Sequence, residues 1–86
     1  MKKIVGILRP FDYNQQFFVF ENGNRLASFS MSVTEIPDEI LAIAKKYEIT
    51  QVDLTGPKQY ATGIKKRILE NELKTYSENS LTINLI

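Results

Sequence analysis

Residues Gln51 to Arg67 have the sequence QVDLTGPKQYATGIKKR, and this stretch decides the fold class. It predicts a short buried strand from Val52 to Thr55, a Gly-Pro turn and the first turns of a basic helix. A strand that passes through a tight turn into a helix is typical of α/β proteins. Such proteins commonly bind ligands at this junction, because backbone N–H groups and the positive end of the helix dipole point outward there.

The composition limits the classes of function. The chain has 86 residues, and we expect one compact domain over residues 1–86. A formal net charge of +1 provides no overall attraction to nucleic acid or membrane. With no cysteine and no histidine, the chain cannot form disulfides or Cys/His zinc sites, and it cannot use a thiol nucleophile or a histidine base. The apolar run Ile4–Leu8 is too short for a signal peptide or a membrane span, so we expect a cytoplasmic protein.

The residues before Gln51 predict three strands. Ile4–Leu8 is a continuous apolar run, typical of a central strand covered on both faces, and Gly6 within it would allow a close approach. Phe17–Phe20 is strongly strand-forming and has bulky residues on both faces. Asn22-Gly23 then predicts a hairpin turn. Over residues 27–33 serines alternate with apolar residues, which indicates a half-exposed strand near a sheet edge.

Two amphipathic helices and a last strand complete the prediction. Pro37 suits the first turn of a helix, whose apolar stripe is Ile36, Ile40, Ile43, Ala44 and Tyr47. A second helix is predicted over residues 58–73, with a stripe of Ala61, Ile64, Ile68 and Leu69. Gly63 inside it indicates either close packing on the sheet or a break that shortens the helix. Leu81–Ile86 alternates and predicts a strand.

The predicted order is therefore β-β-β-α-β-α-β, an antiparallel meander followed by two helical crossovers. Because such crossovers are right-handed, strand four should lie beside strand one and strand five outside it. The result is an α/β fold with a five-stranded mixed sheet of order 3-2-1-4-5 and two helices on one or both faces. A ligand site is expected at the carboxyl ends of strands one and four, Leu8-Arg9-Pro10 and Thr55-Gly56-Pro57-Lys58.

Two short motifs accompany this order, IVGILRPF at residues 4–11 and TQVDLTGP at residues 50–57. They lie where resolvase-like proteins have I-x-G-I-D-x-G and an apolar strand that ends in an acid. The chain thus resembles the ribonuclease H-like fold, shared by Holliday-junction resolvases and the halves of actin-like ATPases. Leu8 and Thr55 occupy the positions of the two metal-binding acids, and glycine-rich phosphate loops are not evident. The resemblance implies the scaffold and argues against two-metal nuclease chemistry.

Two other carboxylates remain candidates for metal binding. Asp12 follows the first strand, and Asp53 lies within the fourth. Hydrolysis at two metals needs acids that converge on ions about 3.5–4 Å apart. The alternative is that Asp53 faces a polar or capped side of the sheet, since it alternates with Val52 and Leu54. We expect no cofactor and keep a Mg²⁺-dependent nuclease as the enzymatic hypothesis.

The helix after the turn is basic. Residues 57–79 contain five Lys or Arg and three Glu, including Glu78, for a net charge of +2. Lysines beside a helix N-terminus could hold a phosphate, and Tyr60 could stack on a base. The alternative is a solvated helix face with ion pairs. The candidate site for nucleic acid or another phosphate ligand comprises Arg9, Asp12, Thr55, Gly56, Lys58, Gln59, Tyr60, Lys65, Lys66 and Arg67.

The aromatic residues suggest another class of function. A strand with bulky residues on both faces, such as Phe17–Phe20, stays uncovered on one face unless both helices and the loop residues Phe11 and Tyr13 fill the gap. An uncovered apolar face marks a protein–protein surface, and the strand at Leu81–Ile86 offers an edge that another chain could extend. We therefore expect a small non-catalytic binding or adaptor domain. Its partner would be a protein or a second copy in a homodimer, with nucleic acid as the alternative and no membrane association.

Overall fold

The computed structural model describes residues 1–75 and 81–86. Within these residues the chain forms five strands and two helices in the predicted order. They are β1 (Lys2–Ile7), β2 (Asn14–Glu21), β3 (Asn24–Ser32), α1 (Ile36–Tyr47), β4 (Gln51–Thr55), α2 (Lys58–Thr75) and β5 (Thr82–Leu85). Glu78, which contributes to the predicted charge of the basic helix region, lies outside the described residues.

The strands form one mixed sheet of order β3-β2-β1-β4-β5, which confirms the predicted topology. β2 runs antiparallel to β1 and β3, whereas β4 is parallel to both β1 and β5. β1 is therefore the central strand. The N–H of Leu8 donates to the C=O of Thr55 at 2.8 Å and continues the β1–β4 pairing past the end of β1.

Both helices lie on the same face of the sheet. The two crossovers, β3-α1-β4 and β4-α2-β5, run in the same direction across the sheet, so their right-handedness leaves both helices on one side. The core accordingly joins the buried stripes of α1 and α2 to alternate residues of the strands, namely Ile4, Phe17, Val19, Val52, Leu54 and Ile83. Of the two arrangements that the sequence allowed, the one-sided arrangement is correct.

β1 is consequently covered on one face, and the prediction that it is covered on both is wrong. Val5 and Ile7 alternate with the core residues of β1 and are half-buried. Neither belongs to the core or packs against it, and the same is true of Phe18 and Phe20 on β2. Among the described residues, no helix lies over these four side chains.

The hairpin turn, the close approach at Gly6 and the ends of α1 are explained by the residues at these positions. Asn22 and Gly23 have φ values of 51° and 85°, as the hairpin prediction requires. A Cβ at Gly6 would lie 2.8 Å from Phe17 Cδ1 and 2.9 Å from Leu54 Cδ2, which confirms the predicted close approach. α1 has Pro37 in its first turn and ends at Tyr47, and the C-cap residue Glu48 adopts a left-handed φ of 57°.

α2 differs from the prediction at Gly63. The helix is unbroken from Lys58 to Thr75, and Gly63 is exposed. Apart from its chain neighbours and the backbone of its own helix, no atom of the described residues lies within 4 Å of the position of a Cβ. The glycine therefore neither breaks the helix nor allows close packing. The helix persists because its predicted stripe of Ala61, Ile64 and Ile68 is buried against the sheet. Neither α1 nor the described length of α2 has the apolar span needed to cross a bilayer.

Candidate functional site

The sheet face opposite the helices, called the open face below, carries the outward-pointing residues of the strands. Its centre is an apolar stripe on β1 and β2, formed by Val5, Ile7, Phe18 and Phe20. Polar side chains flank the stripe: Ser28 and Ser30 on β3, and Gln51, Asp53, Thr55, Thr82 and Asn84 on β4 and β5. An apolar centre with a polar rim is the usual layout of a protein–protein interface.

The aromatic side chains of the stripe contact one another and a neighbouring cation. The ring centroids of Phe18 and Phe20 are 6.3 Å apart, with the planes tilted by 55°. Arg25 places its Cζ 5.7 Å from the centroid of Phe18. Because the stripe is only half-buried, a partner could remove further apolar area from water without unfolding any element.

The loop between β1 and β2 does not cover the open face. Phe11 is 101% and Tyr13 is 82% exposed, which excludes the alternative that they fill the gap beside β2. Gln15 explains their position, since its side chain is buried and bonds to the loop backbone. It donates to the C=O of Arg9 (2.8 Å) and of Asp12 (2.9 Å) and accepts from the N–H of Arg9 (2.6 Å). The loop is thereby fixed in a turn that projects both rings into solvent.

Asp53 lies on the open face and is 5% exposed. Its Oδ2 pairs with Lys3 Nζ at 3.2 Å, and its Oδ1 accepts from Gln51 Nε2 (3.2 Å) and Asn84 Nδ2 (3.1 Å). Burial by itself would raise the pKa of the Asp53 carboxyl. The hydrogen bonds from Asn84 and Gln51 and the charge of Lys3 outweigh burial, and they lower the pKa below its ordinary value. Asp53 therefore lies in the polar flank of the open face and is paired with polar side chains, in line with the alternative to metal binding.

The two candidate metal ligands, Asp12 and Asp53, occupy different places. Asp53 pairs with Val5 in the middle of the sheet, whereas Asp12 is exposed in the loop beyond the end of β1. Within residues 1–75 and 81–86, no group of three or more acidic side chains could hold a metal ion. Leu8, at one of the positions where the resemblance places an acid, is part of the core, and Thr55, at the other, is half-buried.

The carboxyl ends of β1 and β4 meet where the sequence placed a ligand site. Gly56 has a φ of 149°, and a Cβ there would lie 2.7 Å from the carbonyl oxygen of Leu8, so the turn requires glycine. Beside this turn is a cleft of about 340 Å³, lined by Leu54, Gly56, Lys58, Ala61, Leu85 and Ile86. It adjoins the N-terminus of α2, whose first turn contains no acidic side chain.

The basic residues of α2 do not all converge on this cleft. Lys58 and Lys65 are seven positions apart, close to two turns at about 3.6 residues per turn, and therefore share one flank of the helix. Lys66 is rotated by about 100° about the helix axis from Lys65, and Arg67 by about 100° from Lys66, so neither shares the flank of Lys58 and Lys65. Arg9 is exposed in the loop after β1, at the same sheet edge as Lys58. The structure thus brings Arg9, Gly56 and Lys58 to one edge and spreads the remaining cations around α2.

The other candidate residues have separate environments. Gln59 is exposed at the start of α2, whereas Tyr60 is half-buried and packs against the core, so its ring is not a free stacking surface. Thr55 is half-buried, and its C=O accepts from Leu8.

Two residues with structural roles were missed at the sequence level. Gln15 alternates with Phe17 and Val19 in β2, a spacing that could have placed it on the core face. Glu72, one of the three Glu residues counted in the basic region 57–79, is 1% exposed and accepts from the N–H of Leu81 at 3.1 Å. Its spacing of four residues from Ile68 was the available signal.

Comparisons with known proteins concern the fold. No family model matches the sequence, and no curated protein matches it significantly. Among solved structures, the chain is similar to a protein from Bacteroides thetaiotaomicron VPI-5482 described as having an actin-like ATPase fold and unknown function. The TM-score is 0.65 at 23% sequence identity, over 99% of this chain and 32% of that one. The fold is therefore of the actin-like type within the broader ribonuclease H-like fold, and the chain spans about a third of the length of this neighbour.

Proposed function

We propose that this protein is a small non-catalytic association domain and that its open face binds a second copy of the chain. The observation that carries the proposal is the apolar stripe of Val5, Ile7, Phe18 and Phe20, which packs against neither helix. Apolar patches rimmed by polar residues commonly mark protein interaction surfaces.

The charge and the size of the open face favour a second copy as its occupant. Lys3 and Asp53 neutralise each other, so two such faces can meet without burying an unpaired carboxylate. Strands spaced about 4.8 Å apart and rising about 3.3 Å per residue make the face about 20 Å on each side. Two faces of this size would bury on the order of 1,000 Å² together, the lower limit for a specific interface. We therefore expect a weak dimer in equilibrium with the monomer.

Sedimentation equilibrium of the wild type and of Phe18→Ser tests this proposal. Truncating an aromatic residue at an interface centre costs at least about 1 kcal/mol, and two-fold symmetry doubles the loss. The Kd of the dimer should therefore rise by about 30-fold or more. Leu73→Ser is the matched control, because it removes an apolar side chain that is 65% exposed on α2. A wild type that remains monomeric at millimolar concentration, or an unchanged Kd in Phe18→Ser, would overturn the proposal.

A second candidate function is the binding of nucleic acid or another phosphate ligand at the turn between β4 and α2. The cleft beside that turn favours it, since Lys58 lines the cleft and no acidic side chain opposes an anion in the first turn of α2. The first N–H groups of the helix have no intrahelical acceptors and suit phosphate oxygens. The neighbouring cation Arg9 would add a further contact.

Fluorescence anisotropy with a labelled single-stranded oligonucleotide at about 50 mM salt tests this candidate. Lys58→Glu should abolish binding, whereas Lys66→Glu makes the same charge change on a different side of α2 and should retain most of it. The absence of salt-sensitive binding, or equal losses in the two variants, would remove the candidate.

A further inference from the structure

β3 is an edge strand whose outer side is unprotected. It has nine residues, and within residues 1–75 and 81–86 it pairs only with β2. From Leu26 to Val33 the chain contains no charged residue and no proline, and the pairing with β2 is regular from Ala27 to Ser32. Natural edge strands usually prevent pairing with another chain through charge, proline, bulges or short length. β5, at the opposite edge, has only four residues.

The backbone groups that β3 presents at this edge belong to Ser28 and Ser30. In an antiparallel pair, the N–H and C=O groups of alternate residues point toward the partner strand, and those of the residues between point away. Ser32 belongs to the outward-pointing set, because its N–H donates to Glu35 Oε1 at 2.9 Å and its C=O accepts from the N–H of Glu35 at 3.0 Å. Ser28 and Ser30 have the same parity in the ladder. Glu35 therefore occupies the edge at Ser32 and leaves Ser28 and Ser30 available.

We propose that β3 pairs antiparallel with β3 of a second copy about a two-fold axis at Phe29. This register places Ser28 opposite Ser30 of the second copy, and both residues have outward-pointing N–H and C=O groups to exchange. On the helix side, Ala27 lies opposite Met31, so a small side chain meets a large one. The two Phe29 rings, half-buried in the single chain, meet at the axis.

Neighbouring registers fit less well. A shift in one direction pairs Ser28 with Ser32, whose backbone groups already bond to Glu35. A shift in the other direction pairs Ser30 with Leu26, which has no partner in β2 because the register changes there. The self-complementary stretch Ala27–Met31 thus specifies both the occupant and its alignment.

This contact goes beyond the proposed function, because it leaves the open face uncovered. A two-fold axis through the β3 edge is perpendicular to the sheet, so both copies keep their helices on the same side. The two sheets become continuous, and the apolar stripes of the two copies lie on one surface. Substitutions in the stripe therefore leave the β3 contact intact.

Charged pairs at the two serines test the register by sedimentation equilibrium. Ser28→Lys combined with Ser30→Lys places like charges opposite each other in both pairs and should weaken the dimer at least tenfold. Ser28→Lys combined with Ser30→Glu places lysine opposite glutamate in both pairs and should keep the Kd within about threefold of the wild type. Equal weakening in the two double variants, or no change in either, would overturn the proposed pairing.

A cysteine trap provides a second readout. The chain has no cysteine, so Phe29→Cys introduces a single thiol at the proposed axis. The two Phe29 residues would form a non-hydrogen-bonded antiparallel pair, whose Cα atoms lie about 4.5 Å apart. This distance is within the range of about 4.4–6.8 Å that a disulfide spans. Oxidation should cross-link Phe29→Cys into dimers, whereas Leu73→Cys, on the exposed side of α2, should remain monomeric. Equal cross-linking of both variants, or none, would overturn the contact.

The open-face contact and the β3 contact can be refuted independently. If Phe18→Ser dissociates the dimer and the double substitution Ser28→Lys with Ser30→Lys does not, the open face is the contact and the β3 pairing is wrong. The reverse pattern would support the β3 pairing and refute the proposed role of the open face.

Discussion

Asp53→Asn keeps the shape of the side chain among Lys3, Gln51 and Asn84 while removing its charge. A hydrogen bond to a charged group contributes about 1.5–3 kcal/mol net. The Lys3 side chain is 42% exposed, so water replaces much of its contribution, and such a pair contributes about 0–1 kcal/mol. We expect the free energy of unfolding to fall by about 2 kcal/mol at pH 7, mostly through weaker bonds from the two amides. That loss corresponds to a decrease in Tm of about 8–16 °C.

The effect of Asp53→Asn should depend on pH with a defined sign. The pKa of Asp53 is lowered in the folded protein. Its carboxylate therefore stabilises the fold above the unfolded pKa of about 3.9, and this contribution disappears as the pH falls through the folded pKa. The difference in the free energy of unfolding between the wild type and the variant should be largest at pH 7 and should decrease below about pH 4.

Urea unfolding followed by circular dichroism at pH 7 and pH 3 measures both free energies. Asp12→Asn is the matched control, because Asp12 is exposed, and it should change the stability by less than about 0.5 kcal/mol. Lys3→Met separates the ion pair from the amide bonds and should cost about 1 kcal/mol or less. A cost of Asp53→Asn that is equal at the two pH values would contradict the lowered pKa of Asp53. A cost no larger than that of Asp12→Asn would show that the buried network does not stabilise the fold.

Three further substitutions test backbone and loop features by urea unfolding. Gly63→Ala should raise the stability by about 0.5–1 kcal/mol, because the site is helical, exposed and open; a loss would mean that the position is strained. Gly6→Ala should lower it by about 1–3 kcal/mol, since the new Cβ must displace the Phe17 ring or Leu54, and an unchanged stability would contradict that crowding. Gln15→Leu removes three bonds to the β1–β2 loop and should cost about 2–4 kcal/mol, whereas the exposed Gln16→Leu should cost little.

The topology could be predicted because strong local signals left few arrangements. Asn22-Gly23 joins two strands in a hairpin, and Pro37 marks the start of the first helix. With the order of elements known, the right-handedness of the crossovers determined the order of the strands. The turn, the helix start and the crossover handedness all depend on backbone geometry, and short sequence patterns indicate that geometry directly.

The coverage of the sheet could not be predicted from composition. A strand buried on both faces and a strand with one open apolar face have the same apolar run, as Ile4–Leu8 shows. Whether the basic side chains of α2 form one surface could not be predicted either. Lys65, Lys66 and Arg67 are adjacent in sequence, but consecutive residues of a helix point in directions about 100° apart. The spacing of Gln15 and Glu72 indicates buried faces, but it does not report their partners. Gln15 bonds to the neighbouring loop, and Glu72 accepts from Leu81, nine positions further along the chain.

The central position of β1 has a consequence for folding kinetics. β1 pairs with β2 across a short loop, but its other neighbour is 48 positions away, since Ile4 pairs with Val52. Closing so long a loop costs entropy before the parallel contact is formed. The meander of β1, β2 and β3 is local, yet its apolar face stays hydrated until both helices arrive. Truncations at the β1–β4 contact should therefore slow folding, whereas truncations between β4 and β5 should mainly accelerate unfolding, which stopped-flow chevron measurements can distinguish.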